Sequence, residues 1–535
     1  MVSTFHGIET ARRALHAQRS ALYTTSHNIA NANTKGYTRQ RVNFSTTNPY
    51  NAIFGQIGTG VQEGSIERIR ESFLDVQYRL ENSKHGYYTK LSAALSKIED
   101  IMNEPTESGL HHVMETFWKA LEDLANHPEN SGARQVVAST GQMVAETINY
   151  YYNSLARIQR DLGAEIDTKV KYINSLIAQI DELNRQIASV EPHGKLPNDL
   201  YDRRDVLVDE LSKYINIKVN TVVPEQYGQH PPNAIGLYEI EIVQADGSAY
   251  DDGNGNRAKL LSIDTVTGQS TIQRLEVTGE NSPEDPLSGN VSKIQVGNVL
   301  IDNLNFVGEL GGLIRAYGYN LNGEQGKGHL PDMMERLNNY AFAFASEFNA
   351  IHQQGYDLSG EQGIEFFVFN ENNPAQTLRV NDAIINDPGK IAAARSLTAD
   401  GEVHSGDNRN ALELAKIKGK NFGDYVYLQN GENGLPDGMT EGGTLDSYYA
   451  SMIGDLGVNT QSAMRNRDNV QVLLDSVENQ RQSVSGVSLD EELTNMIMFQ
   501  HAYNAAGRML TALDELLDRI INGMGVVGRL FVKRW

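Results

Sequence analysis

At 535 residues the chain is longer than the about 250–300 residues at which single cores stop growing, so several domains are expected. Its 46 basic and 68 acidic residues give a formal charge of −22, which argues against binding nucleic acid or an anionic membrane through the bulk surface. The absence of cysteine excludes disulfides, thiol nucleophiles and thiolate metal sites, and no apolar run reaches the about 18 residues of a membrane span.

Ile8, Leu15, Leu22 and Ile29 recur every seven residues and predict one helix over 4–31, entered at Ser3 or Thr4. This stretch has no continuous apolar core followed by a small-residue cleavage site, so it is not a secretory signal peptide. Arg12, Arg13, Arg19, Lys35, Arg39 and Arg41 face only Glu9 in the first 45 residues. Two readings stand equally: these bases meet acids on adjoining subunits, or they line a solvated helix face. Asn28, Asn31 and Asn33, then Gly36 before Tyr37, suit a turn with left-handed backbone. Residues 37–66 carry four glycines and read as extended or looped.

Helical spacing returns at Phe73, Leu74 and Leu80, continues through Leu91, Leu95, Ile98 and Ile101, and recurs from Leu110 to Leu124 before Pro128. The longest periodic segment covers 133–190. There Ile148, Leu155 and Leu162 repeat by seven, then the phase slips by four to Ile166, Ile173, Ile180 and Ile187. Such a stutter unwinds a supercoil locally without ending the helix, so a long rod is expected. From 217 to 305 the pattern alternates, as in Tyr238-Glu-Ile-Glu-Ile242, between turn-forming residues, and predicts an inserted β-rich domain. Helical pattern resumes at 310–317 and 331–352, a mixed region occupies about 360–440, and helix returns from Tyr448 to Met524 with a break near Ser485–Ser488.

That last helix carries Met496, Tyr503, Leu510, Leu517 and Met524 in one row. Phe499, Ala506, Leu513 and Ile520 form a second row, three positions after the first four of these. Rows spaced alternately three and four apart make a coiled-coil seam, which needs a partner: the other end of the chain, or copies of itself. The predicted fold is mainly α with inserted β-rich domains. Residues 1–60 with 490–535 form a terminal coiled coil; 61–216 with 306–360 and 444–489 form a helical bundle; 217–305 and 361–443 are inserts.

Motifs for chemistry are weak. Gly323-Glu-Gln-Gly326-Lys327-Gly328 has Leu321 five before Gly326 and Gly328 where a phosphate loop needs Ser or Thr. Asp251-Asp252-Gly253-Asn254-Gly255-Asn256 lacks the ligand spacing and distal Glu of a calcium loop and reads as a β-turn. His111 and His112 are adjacent and point apart on a helix. Glu122/Asp123 and Asp490/Glu491/Glu492 read as solvated or helix-starting acids, with Asp490 and Glu491 explained by capping after Ser488. No enzyme, metal or cofactor is expected.

The turn Ser26-His-Asn-Ile-Ala-Asn-Ala-Asn-Thr-Lys-Gly-Tyr37 resembles the N-terminal motif of the bacterial flagellar rod, hook and hook-associated axial family. With Thr38-Arg-Gln-Arg-Val42, Ser3-Thr-Phe-His-Gly-Ile8, Ser485-Gly-Val-Ser-Leu-Asp-Glu-Glu-Leu493 and Phe499-Gln-His-Ala-Tyr-Asn-Ala-Ala506, the chain is similar to the hook-associated branch that joins hook to filament. Ala120–Leu124, His352–Asp357 and Gly406–Ala415 extend the likeness; 217–305 and 420–443 match no pattern. The basic, apolar tail Gly525–Trp535 runs past the usual end of the terminal helix.

The resemblance implies paired terminal helices as an inner tube, a helical second layer and outward β domains. It also implies unfolded export through the flagellar type III apparatus without a cleaved signal, and an extracellular place in the flagellum. Partners implied are further copies of itself, hook protein, a second junction protein next to the filament, and an export chaperone on the C-terminal helix. The assembly interface is expected at Ile8, Leu15, Leu22, Ile29, Asn28, Asn31, Asn33, Gly36 and Tyr37, and along both C-terminal rows. A hook or distal rod protein using the same helices, or an adhesin or cell-wall module carried by the inserts, are the competing readings.

Overall fold

The computed structural model describes residues 5–52, 55–102, 109–228, 230–253, 255–281, 287–321, 326–398, 401–404, 406–421 and 443–530. The first helix, α1 (His6–Ala30), ends at the Asn-rich turn and leads into an antiparallel ribbon of β1 (Gln40–Thr46) and β4 (Val61–Arg68), with a bulge between Asn43 and Phe44. A small hairpin of β2 (Tyr50–Ala52) and β3 (Gly55–Ile57) caps its loop. The ribbon runs across residue 60, so the expected domain boundary there falls inside a paired element. A sequence reading places boundaries at glycines, and Gly58, Gly60 and Gly64 belong to the ribbon and its loop instead.

The helical body consists of α2 (Ser72–Met102), α3 (Leu110–Asn126), α4 (Ser131–Val190), α5 (Asn198–Tyr214), α6 (Glu309–Tyr317), α7 (His329–His352) and α11 (Leu445–Ser485). As its period predicts, α4 runs unbroken for 60 residues, opened by Asn130 capping the amides of Gly132 and Ala133. Every residue of its stuttered row, Ile148 through Ile187, is buried. Two apolar phases serve different neighbours along one rod: α3, α7 and the 367–391 segment on the first half, α5 and the β insert on the second.

The core beside the first half is aromatic. Phe117, Trp118, Phe344, Phe348, Phe366 and Phe367 pack edge-on or tilted with centroids 4.8–6.3 Å apart. Fully burying each ring is worth roughly 1.5–3 kcal/mol.

The first insert is an antiparallel meander of β5 (Ile217–Val222), β6 (Leu237–Ile242), β7 (Lys259–Ile263) and β8 (Ser270–Ile272), followed by β9 (Leu275–Gly279), β10 (Val291–Val296) and β11 (Val299–Leu300) in order 11-10-9. β6 is buried along its length: Tyr238 reaches Asp205 of α5 on one face, and on the opposite face Glu239 and Glu241 are buried with Lys259, Lys218 and Arg257 as ionic partners. The second mixed region holds β12 (Phe367–Val368), α8 (Pro374–Thr377), β13 (Arg379–Val380), α9 (Asp382–Asn386) and α10 (Arg409–Lys416). Gly323 and the 429–442 turns lie outside the described residues. After a three-residue corner at 486–488, α12 (Leu489–Leu530) runs back along α1.

Candidate assembly interface

α1 and α12 are antiparallel. Leu513 lies against Gly7 near one end, where a Cβ on residue 7 would sit 3.1 Å from its Cδ1. Glu492 meets Asn28 at the other. Both pairs sum to 520 in residue number, so the helices keep one register over three heptads.

The row of α1 that faces α12 is therefore Gly7, Ala14, Ala21 and Asn28. It is displaced by one position from Ile8, Leu15, Leu22 and Ile29, which lie half-buried at the flank. Ala11, Ala17, Ala21, Thr24 and Thr25 are buried, because small side chains let α1 approach both α12 and the β1–β4 ribbon closely. On α12, Ala506 is buried; Met496, Phe499, Leu510, Leu513 and Leu517 are half-buried; Tyr503 and Ile520 are exposed. Phe499 makes an edge contact with Phe44 of the ribbon at 6.2 Å. The side chain of Met524 lies outside the described residues.

The Asn-rich turn is a working joint. Asn28 is 1 % exposed, and its amide is fully used. Nδ2 donates to the Gln40 carbonyl (2.8 Å) and to Glu492 Oε2 (3.1 Å), while Oδ1 accepts from Gln40 N (3.0 Å) and the Tyr37 hydroxyl (2.8 Å). Tyr37 also stands 2.9 Å from His27 Nδ1. Burial, and then the nearby acids Asp199, Asp202 and Glu492, push its phenol pKa up. Asn31 donates to the His27 carbonyl and accepts from Thr34, closing the turn, whereas Asn33 is exposed. Gly36 needs its positive φ of 77°, and a Cβ there would lie 2.0 Å from Val206 Cγ2.

Glu491 and Glu492 require a correction. They do more than favour the start of a helix: Arg39 bonds Glu492 Oε1 through Nε (2.8 Å) and Glu491 Oε2 through Nη1 (2.7 Å). Capping alone cannot account for Glu492, which is 2 % exposed. Of the other early bases, Arg12 and Arg13 pair with Glu9 on their own helix.

Behind this joint lies a buried ionic hub that periodicity did not single out. Asp202, Asp205 and Asp209 form a stripe on α5 at spacings of three and four. Arg68 bonds Asp202 (2.7 Å) and Asp205 (2.9 Å); Arg70 bonds Asp205 (2.9 Å) and Asp75; Arg79 bonds Asp209 (2.8 Å). Arg481 near the end of α11 reaches Asp209 and stacks over Tyr78, 4.1 Å from its centroid. Burial alone would raise the Asp205 carboxyl, but Arg70, Arg68 and Arg79 outweigh it and hold that group well below the usual carboxylate range. The Tyr238 hydroxyl donates to Asp205 as well (2.7 Å), tying in the β insert. The sequence signal available for the hub was the acidic i, i+3, i+7 stripe on α5, facing Arg68 and Arg70 in the chain just before α2. A cavity of about 840 Å³ opens beside it, between the 32–38 turn, α5 and the 485–488 corner.

The comparisons match this arrangement. Residues 8–38 fit the family model described as flagella basal body rod protein, and residues 478–523 the model described as flagellar basal body rod FlgEFG protein C-terminal. The two paired ends thus define a flagellar axial protein. Residues 95–367 fit the model of the flagellar hook-associated protein FlgK helical domain. The chain is 44 % identical to flagellar hook-associated protein 1 of Bacillus subtilis (strain 168), over 99 % of this chain and all of that one. It is 25 % identical to the protein of that name from Salmonella typhimurium LT2, over 96 % and 99 %. The chain belongs to the flagellar hook-associated protein 1 family: it is a structural protein of the flagellum and not an enzyme. The solved structure of the flagellar hook junction protein FlgK from Burkholderia pseudomallei shares the fold, with a TM-score of 0.56 at 15 % identity, covering 77 % of this chain and all of that one. A mainly α architecture with inserted β domains is common to both.

Proposed function

We propose that this chain forms the junction between hook and filament by helical self-assembly, after export through the flagellar type III apparatus to the cell exterior. The observation that carries the reading is the apolar surface the terminal pair leaves uncovered. Met498, Met509, Leu516 and Ile520 on α12 follow one another by eleven, seven and four residues, each close to a whole number of turns, and all are exposed. Ile497 and Leu493 flank the seam on the other side and are exposed too. A helix with apolar residues on both flanks of its seam is suited to packing among several neighbours at once.

In this reading the terminal pair, α1 with α12, forms the inner shaft. Ile8, Leu15, Leu22 and Ile29 join the α12 flanks in contacts between copies, and the insert 217–305 lies on the outer side; the described part of 361–443 instead packs Phe366 and Phe367 into the aromatic core of the body. Hook protein lies on one side and a second junction protein on the filament side. Before export a chaperone covers the C-terminal helix, whose apolar rows would otherwise aggregate.

Electron microscopy of cells lacking the gene tests the role. Bare hooks with flagellin shed into the medium are the expected result. Normal filaments would overturn it, and a loss of hooks altogether would move the protein to the hook or rod.

A further inference from the structure

The seam between α1 and α12 is permissive about register. The α1 row is small throughout, with Gly7, Ala14 and Ala21, and α12 repeats its apolar rows every seven residues. Sliding one helix by seven residues, about 10.5 Å, puts small residues against Leu513 or Phe499 again. It creates no apolar mismatch. The corner at 486–488 ties one end of α12 only, and between two copies nothing ties the helices at all.

One rung is not permissive. Glu492 accepts from Asn28 through one oxygen and from Arg39 through the other. Asn28 meanwhile satisfies both Gln40 backbone groups and Tyr37. These bonds join the end of α1, the 37–40 segment and the start of α12, which lie 464 residues apart between Asn28 and Glu492. After a slip of seven, Asn28 would face Phe499 or Ser485, and Glu492 would face Ala21 or leave the helix. Either slip strands a buried amide or a buried carboxylate without its partner, a desolvation penalty that apolar matching does not offset.

We propose that the Asn28–Glu492–Arg39 node is the register lock of the terminal helix pair: it holds the two ends in one alignment and rejects slipped pairing. A single buried polar rung fixes alignment and partner number in coiled coils in the same way, at some cost in stability. The inference concerns the isolated subunit, so its failure and the failure of the junction role are separable.

The natural chain has no cysteine, which gives a clean background for cross-linking the full-length protein. Ala14→Cys with Ala506→Cys reports the observed register; Ala14→Cys with Phe499→Cys or with Leu513→Cys reports the two slips. Mild oxidation should close the 14/506 pair alone, within one chain. Adding Asn28→Leu and Glu492→Leu should make the slipped pairs close as well. Cross-linking that stays confined to 14/506 within one chain in that variant would overturn the proposal, as would slipped closure in the parent. A second variant guards against simple loss of helix. Asn28→Asp sets a carboxylate oxygen against both Glu492 and the Gln40 carbonyl and should abolish the 14/506 cross-link while the helical circular dichroism of the body stays unchanged. An unchanged cross-link in Asn28→Asp contradicts the lock.

Discussion

Two residues outside the apolar rows set local conditions that single substitutions reveal. Gly36 holds the Asn-rich turn in left-handed backbone with Val206 in the space a side chain would take. Gly36→Ala combines backbone strain of about 1–3 kcal/mol with overpacking of about 1–3 kcal/mol. The turn should lift from α5, read as faster tryptic cleavage after Lys35 and Arg39 while the melting of the helical body is unchanged. His352 is buried, with Nδ1 2.6 Å from the Ile364 carbonyl and Nε2 accepting from Ala392 N (2.9 Å), an arrangement only the neutral ring can make. Burial, aided by Arg134 and only partly opposed by the Ile364 bond, pushes its pKa down to about 4. The unfolded chain binds the proton more readily, near pH 6.5, so stability is full above that value and falls as the pH drops towards about 4. The loss from this group is roughly 3 kcal/mol. Urea midpoints across that window should slope less in His352→Gln, whose amide can keep both bonds.

At the scale of elements, apolar period was a reliable guide where large side chains fill the buried stripe of a helix. The stuttered row of α4 is buried from Ile148 to Ile187, and the break between α11 and α12 falls where Ser485-Gly-Val-Ser488 ends the pattern. On α1 the apolar row Ile8, Leu15, Leu22 and Ile29 lies half-buried beside the seam, and alanines and a glycine fill the seam itself. Close packing chose volume over hydrophobicity there, and a heptad count weights only the latter. The ionic hub escaped for a related reason: its partners come from the β1–β4 ribbon, α2, α5 and α11, and no single periodic element contains them. The fate of Glu492 was hidden in the same way, since Arg39 and Asn28 lie at the far end of the chain. Leu513→Asp places a charge against Gly7 and should open the terminal pair. Hydrogen exchange should then rise along α1 and α12 while α2–α7 stay protected, and the variant should fail to incorporate into flagella.

The whole molecule divides its labour between two kinds of bonding. The body is held by apolar and aromatic burial, which drives folding whatever the neighbours. The joint to the terminal pair runs through Arg68, at the end of the β1–β4 ribbon, and Arg70 on the buried carboxylates of α5, while Arg79 and Arg481 brace Asp209 from within the body; such contacts contribute geometry more than net stability. Such a joint sets how the paired ends leave the body, and so how their uncovered flanks meet the next subunit. The measurement that tests this most directly is complementation of a deletion strain with Leu516→Asp, Ile520→Asp. Both positions are exposed in the single copy, so the terminal pair itself should stay closed. The variant should be exported, leaving bare hooks and flagellin in the medium. Filaments of normal length on those hooks would contradict it.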